Sequence, residues 1–192
     1  MTNLTGSRVL LRPWTADDAA FVFDMYARWD VQRYLGHEPK VMENIDAAHA
    51  LIGRLRARSG PVLGYWAVEA TATGTPVGTV MLQSIRLSGT REPSAEVEIG
   101  WHFHPDAWGH GYATEAAQLL LRHASASGLD RIIAVAHVEN AASRRVCLRL
   151  GLTSQGRTTR YYDAEYELFE SGSLRTDRSS TGTAYGPTRI TR

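Results

Sequence analysis

Apolar positions recur along the chain with two periods, and the places where the period changes divide it into elements. Residues 8–12 form a short apolar run closed by Pro13, which predicts a first or edge strand. Thr15 offers an N-cap with Asp17 and Asp18 in the first turn. Ala19, Val22, Phe23 and Tyr26 follow at the i, i+3, i+4, i+7 spacing of an amphipathic helix. A second helix starts near Asn44 and gathers Ala48, Leu51, Ile52 and Leu55 on one face, while 34–39 between the two helices is too broken for either element. From Val62 the pattern turns to strands: 63–69 and 76–85 are rich in β-formers and are separated by the small polar residues 71–75, which predicts a hairpin.

A further strand starts at Ala95. Alternation places Val97, Ile99, Trp101 and Phe103 on one face and Glu96, Glu98, Gly100, His102 and His104 on the other. This polar face runs into Trp108-Gly109-His110-Gly111-Tyr112-Ala113-Thr114, a glycine loop followed by a helix with the apolar stripe Ala113, Ala116, Ala117, Leu120, Leu121 and Ala124, ended by Gly128. Residues 131–138 are almost continuously apolar, as a central strand buried on both faces requires. Asn140 caps a predicted helix with the inward stripe Ser143, Val146, Cys147 and Leu150, stopped by Gly151. A last hairpin turns around Asp163. Residues 1–170 read as one domain. Residues 171–192, mostly Ser, Thr, Gly and Arg without a period, read as a disordered polar tail.

Composition narrows the function classes without choosing one. The chain has 192 residues, 43% hydrophobic and 21% charged, and its 21 basic and 20 acidic residues leave a formal +1. No global field recruits nucleic acid or an anionic membrane, and no run approaches membrane-spanning length. Cys147 stands alone, so no internal disulfide forms; with no secretory leader pattern, a cytoplasmic protein is expected, as a monomer or homodimer.

The chemistry concentrates on the glycine loop. A strand, a glycine turn and the first turn of a helix aim free backbone N–H groups at one point, which is how proteins cradle a phosphate. Taken alone, the loop fits many nucleotides. A zinc site from His102, His104, Asp106 and His110 lacks a second supporting cluster, and a dinucleotide fingerprint lacks its third small residue, so no metal is expected.

Together these parts resemble the GNAT superfamily of acetyl-CoA-dependent N-acetyltransferases. Trp108-Gly109-His110-Gly111-Tyr112-Ala113 is similar to that family's acetyl-CoA motif, an Arg or Gln followed by x-x-Gly-x-Gly/Ala, with Trp108 where many members carry Arg or Gln. That Trp, with Glu98-Ile99-Gly100-Trp101 upstream and Leu10-Leu11-Arg12-Pro13-Trp14 near the start, is similar to the branch that acetylates N-terminal amines of ribosomal proteins. Asn140-x-x-Ser143 leading to Leu150-Gly151-Leu152 resembles the family's second cofactor segment.

The resemblance implies an α/β fold with a mixed, mainly antiparallel central sheet of about seven strands and about four helices on both faces. Acetyl-CoA would lie at the splay beside the glycine loop. It further implies that the amides of Gly109, His110, Gly111, Tyr112, Ala113 and Thr114 meet the pyrophosphate, with Trp108 also among the cofactor-binding residues, that backbone groups of Trp101, His102 and Phe103 follow the pantetheine, and that Asn140 and Ser143 add contacts. Glu98 is the expected base, with Glu96 and His102 as fallbacks. Where many members place a tyrosine to protonate the leaving thiolate stands Cys147, and Ser143 is the other candidate donor; packing is the alternative role for Cys147. The acceptor is an amine, either a peptide N-terminus or a small molecule, with a non-catalytic acetyl-CoA-binding module as the alternative. Residues 34–40 and 158–164 are expected to line its site, and Arg144, Arg145 and Arg149 to stand near the cofactor's 3′-phosphate or on a solvated helix face.

Overall fold

The computed structural model describes residues 1–90 and 92–174. Eight strands and five helices follow in the order β1 (Leu4–Thr5), β2 (Val9–Pro13), α1 (Ala19–Ala27), α2 (Trp29–Gln32), α3 (Ile45–Ala57), β3 (Gly64–Ala70), β4 (Thr75–Arg86), β5 (Pro93–Phe103), α4 (Tyr112–Ala126), β6 (Ile133–His137), α5 (Ala141–Arg149), β7 (Thr153–Thr158) and β8 (Tyr166–Glu170). They form one sheet ordered β1-β2-β3-β4-β5-β6-β8-β7. The two elements beyond the expected set, β1 and α2, span two and four residues, too short to register a period.

Every neighbouring pair is antiparallel except β5 and β6, which run parallel and meet at one register pair, Glu98 with Ile133. Beyond Glu98 the two strands part, leaving the end of β5 with a free edge in the middle of the sheet. This splay opens in front of α4.

Both faces of the sheet are covered, and alternation along β3 shows how. Trp66 and Val68 point into the cluster under α4, with Val9, Leu11, Val80, Leu82, Ile99, Phe103, Ala116, Ala117 and Leu120. Ala67 points into the opposite cluster, with Trp14, Ala19, Val22, Met25 and Tyr26 of the α1 side and Ala48, Ile52 and Leu55 of α3. Phe23 of the expected α1 stripe is only half-buried and Met25 is fully buried instead, because α1 is covered by the sheet and by α3 together. The β5 face expected to be polar is therefore not a wet one. Glu98 and His104 are buried, His104 Nε2 meeting Asp24 of α1 at 3.0 Å and His102 Nδ1 meeting the Tyr26 hydroxyl at 2.8 Å.

Asn44 caps α3 by accepting the Ala47 N–H at 2.9 Å. Thr15 opens the turn before α1, where its N–H donates to Asp18 Oδ2 at 2.8 Å. Arg12 grips the same carboxylate with two guanidinium nitrogens, each at 2.8 Å, and reaches Glu69 at 2.7 Å, so β2, β3 and the α1 entry share one ion pair. Burial alone would raise the Asp18 pKa, but Arg12 and the Thr15 amide outweigh it and hold the carboxyl below its usual value. Replacing Asp18 with alanine leaves Arg12 without its main partner and is expected to cost about 3–5 kcal/mol, measured by urea unfolding at pH 7. The stabilisation is present above the ordinary carboxylate pKa and is lost as pH falls through the depressed one, so the gap between parent and variant should close in acid.

Ser171 to Leu174 do not hang free. The Ser171 N–H donates to Ile132 C=O at 2.9 Å, its hydroxyl accepts the Ile132 N–H at 3.0 Å, and the Ser125 hydroxyl donates to Leu174 C=O at 2.6 Å. The polar tail expected over 171–192 otherwise lies outside the described residues. Among the described residues no helix is long and apolar enough to cross a membrane.

Candidate active site

A cavity of about 790 Å³ occupies the splay. Its walls come from the free end of β5, the glycine loop and first turn of α4, the start of α5, the segment after α2 and the β7–β8 turn.

The loop is built by two glycines. Gly109 and Gly111 have φ of +80° and +78°, a left-handed conformation that other L-residues avoid, and Gly111 is the residue from which α4 springs. As a result the backbone N–H groups of residues 109–114 have no acceptor among the described residues. Trp108, Gly109, Gly111, Tyr112, Ala113 and Thr114 face the cavity, whereas the His110 ring lies outside it, stacked on Tyr112 with centroids 5.7 Å apart.

Two residues that sequence reasoning passed over fasten the loop from behind. Glu115 accepts the Arg8 N–H at 2.8 Å, Arg8 Nε at 2.8 Å and the Ser7 hydroxyl at 2.9 Å, while Arg8 Nη1 donates to His110 C=O at 2.9 Å. The start of β2 is thereby tied to the first turn of α4. An acidic residue in a helix's first turn was the available signal, though it is equally the mark of a plain dipole partner.

The free edge of β5 follows strand parity. His104 N–H donates to Val77 C=O at 3.0 Å, so in the antiparallel ladder His102 also spends its backbone groups on β4, while Trp101 and Phe103 turn theirs to the gap. The expectation of a backbone contact from His102 is thus corrected. His102 lines the cavity, its ring bonded to the Tyr26 hydroxyl of α1, and burial pushes that ring's pKa down to about 4, leaving it neutral. The Phe103 carbonyl is already engaged by the Trp108 indole N–H at 2.9 Å, so the open groups at this edge, among the described residues, are those of Trp101 and the Phe103 N–H.

Across the gap Asn140 caps α5, its Oδ1 accepting the Ser143 N–H at 3.0 Å. The Asn-x-x-Ser spacing is accordingly a helix cap as well as a wall of the cavity, and the Asn140 amide NH₂ has no acceptor among the described residues. Ser143, Arg145 and Arg149 also line the wall; Arg144 instead pairs with Glu167. Cys147 does not reach the cavity. It is completely buried in the core under α4, and burial pushes its thiol up to about 12, so packing is its role in the fold and proton donation from it is corrected.

At the inner end stands Glu98, 6% exposed. Its Oε2 accepts the Tyr162 hydroxyl and, at 3.1 Å, the Gln83 amide; Oε1 has no partner among the described residues. Desolvation pushes its pKa up to about 7, against those two hydrogen bonds, which favour the charged form. The fallback Glu96 lies outside the cavity. It is held by Arg131 at 2.9 Å, Arg160 at 3.2 Å and the Tyr161 hydroxyl at 2.8 Å, and these partners overcome burial to keep its pKa low. Of the two segments expected near the acceptor, Tyr34, Leu35, Gly36 and Tyr162 do line the cavity. His102 and His104 go to different partners, and no group of three or more His, Cys, Asp or Glu able to hold a metal lies among the described residues.

The sequence profile of the acetyltransferase (GNAT) domain matches residues 8–153, from the start of β2 to the start of β7. The chain belongs to the GNAT acetyltransferase family. It is an acyltransferase with the mixed α/β GNAT fold. An uncharacterised N-acetyltransferase of Bacillus subtilis, YoaA, is 31% identical over 160 residues, covering 82% of this chain and 86% of that protein. Among solved structures, the ribosomal-protein-S5-alanine acetyltransferase of Vibrio fischeri superposes with a TM-score of 0.69 at 18% identity, covering 90% of this chain and 97% of that one. The microcin C7 self-immunity acetyltransferase MccE, in complex with acetyl-CoA and AMP, gives a TM-score of 0.71 at 16% identity, covering 87% and 93%. At such identities these two likenesses concern the fold of the GNAT domain.

Proposed function

We propose that this chain transfers the acetyl group of acetyl-CoA to a primary amine, with a peptide N-terminal amine as the favoured acceptor. The observation that carries the reading is a carboxyl group with a pKa of about 7 at the inner end of the cavity whose mouth holds the unsatisfied loop amides. The residues fit the cofactor. Amides at a helix N-terminus suit a pyrophosphate, the free edge at Trp101 and the Asn140 amide suit the amide-bearing pantetheine arm, and Arg145 and Arg149 suit a further phosphate. When bound, acetyl-CoA supplies an activated thioester.

The chain's own contribution is deprotonation and placement. An α-amine has a pKa of roughly 7.7–8.0, so about nine-tenths of it is protonated at pH 7, and a carboxylate near pKa 7 is a matched base for removing that proton. A lysine side chain near pKa 10.4 would ask far more of the same group. Ser143 lines the opposite wall and is the side chain proposed to give a proton to the departing thiolate, which otherwise takes it from the amine or solvent.

A small-amine acceptor is the second reading. It is favoured by the aromatic wall that Tyr34 and His137 give the cavity, their ring centroids 5.3 Å apart. Thiol release measured against ribosomal-protein N-terminal peptides and against amine metabolites separates the two. The peptides are expected to turn over with the higher kcat/KM. Tight acetyl-CoA binding with no thiol release from any amine would instead identify a sensor module.

A further inference from the structure

The β7–β8 turn carries a conformation that its sequence does not favour. Tyr162 and Asp163 have φ of 56° and 57°, two consecutive left-handed residues with no glycine, where a tight hairpin ordinarily uses Asn-Gly. Neighbouring segments hold it there. Asp163 accepts the Gly89 N–H at 2.6 Å and Arg86 Nη1 at 2.8 Å, its own N–H donates to the Ser88 hydroxyl at 3.0 Å, and the Arg86 guanidinium lies 5.7 Å from the Tyr162 ring. The result is a phenol hydroxyl delivered to the inner wall of the cavity, where backbone strain of this kind is a pointer to function.

The hydroxyl's partners are directional. The Tyr65 hydroxyl donates to Gln83 Oε1, which fixes the Gln83 amide so that its NH₂ donates both to Glu98 Oε2 and, at 3.0 Å, to the Tyr162 oxygen. Tyr162 in turn donates its hydrogen to Glu98. A phenol oxygen accepts two hydrogen bonds, and Gln83 supplies one. No other donor to this oxygen lies among the described residues, and Tyr162 is part of the cavity wall.

We propose that Tyr162 is a catalytic residue that receives the acceptor's ammonium proton and relays it to Glu98. This rests on the acetyltransferase reading above. The ammonium donates to the remaining lone pair of Tyr162; as its proton moves to the phenol oxygen, the phenol's own hydrogen moves to Glu98 Oε2. The amine is then neutral, the phenol is unchanged and Glu98 carries the proton. The nitrogen lone pair forms the C–N bond to the acetyl carbon, the C–S bond breaks, the thiolate takes the second nitrogen proton, and Glu98 returns its own to solvent. The phenol never needs to ionise in this relay, in keeping with burial and the neighbouring Glu98, which hold its pKa far above the ordinary tyrosine value.

Tyr162→Phe keeps the ring and the turn and removes the hydroxyl. With the full chain and an acceptor amine of pKa near 10.4, which is protonated at both pH values, kcat is expected to fall about 30-fold at pH 7 and still about 10-fold at pH 8, below the roughly 100-fold of a whole acid–base group because Glu98 Oε1 keeps a path through water. The KM for acetyl-CoA should stay within twofold of the parent. If Tyr162 only tuned Glu98, losing its hydrogen bond would raise the carboxyl pKa and the variant would recover to within threefold at pH 8; that recovery, or a kcat equal to the parent throughout, overturns the relay. A parent that releases no thiol with any amine overturns the acetyltransferase reading as well, whereas an active parent matched by Tyr162→Phe overturns the relay alone.

Discussion

Substituting Gly111 with glutamate is expected to weaken acetyl-CoA binding by at least about 100-fold, read as Kd by calorimetry. Three effects add in the same direction. The residue sits at φ +78°, where an L-side chain costs about 1–2 kcal/mol. A Cβ there would stand 3.2 Å from Arg8 Nη2 and press on the side chain that holds the His110 carbonyl and Glu115. The new carboxylate would also compete for amides meant for a phosphate, and each charge-assisted hydrogen bond lost removes about 1.5–3 kcal/mol, so forfeiting even two accounts for the factor. Gly111→Ala keeps the first two effects without the charge and should cost nearer 10-fold. Unchanged affinity in Gly111→Glu, with an unchanged melting temperature, would mean that the pyrophosphate does not sit on this loop.

From sequence the glycine loop reads as a phosphate cradle, because a glycine turn before a helix aims free backbone N–H groups at one point. The structure adds a reason for Gly111 that sequence could not supply: the crowding partner is Arg8, over one hundred residues away in the chain. The same limit recurs across the site. Local signals were legible, because caps, stripes and alternation are encoded within a few residues: Asn44 and Asn140 cap their helices, β3 alternates between two clusters, and Gly109 and Gly111 take left-handed angles. Long-range pairings were not. One strand's alternation puts Glu96, Glu98 and His102 on the same face, with Glu98 the expected base and the other two as fallbacks, but it does not show what surrounds each of them. Only the third dimension brings Arg131 and Arg160 to Glu96, Tyr26 to His102, and Gln83 and Tyr162 to Glu98. Burial of the polar β5 face has the same origin, since α1 supplies the partners of His102 and His104.

Replacing Glu98 with glutamine is expected to lower kcat/KM about 10- to 30-fold at pH 6.5, the limit set by the few per cent of neutral amine, and much less at pH 9, and this difference across pH is the decisive measurement. At pH 6.5 a peptide amine is almost wholly protonated and must lose its proton to the protein; at pH 9 it is mostly neutral and needs no base. The parent should show an inflection near pH 7 from Glu98, whereas the variant should lose it and climb with the amine's own ionisation near 8. The groups facing Glu98 are Gln83 of β4, Tyr65 of β3, Tyr162 of the β7–β8 turn and Tyr166 of β8; the three phenols are all raised above their ordinary values, so none of them ionises in this range to mimic the inflection. Stability supplies an independent control of opposite sign. A carboxyl whose folded pKa is raised stabilises the fold below its unfolded pKa and loses that contribution as pH rises through about 7. Glu98→Gln should therefore match the parent's stability at pH 5 or below and exceed it at pH 8, by up to roughly 3 kcal/mol at 1.36 kcal/mol per pKa unit. A variant that is more stable at pH 8 yet slowest at pH 6.5 ties the loss to the missing proton acceptor and not to misfolding. An equal fold-loss at pH 6.5 and pH 9 would remove Glu98 as the base.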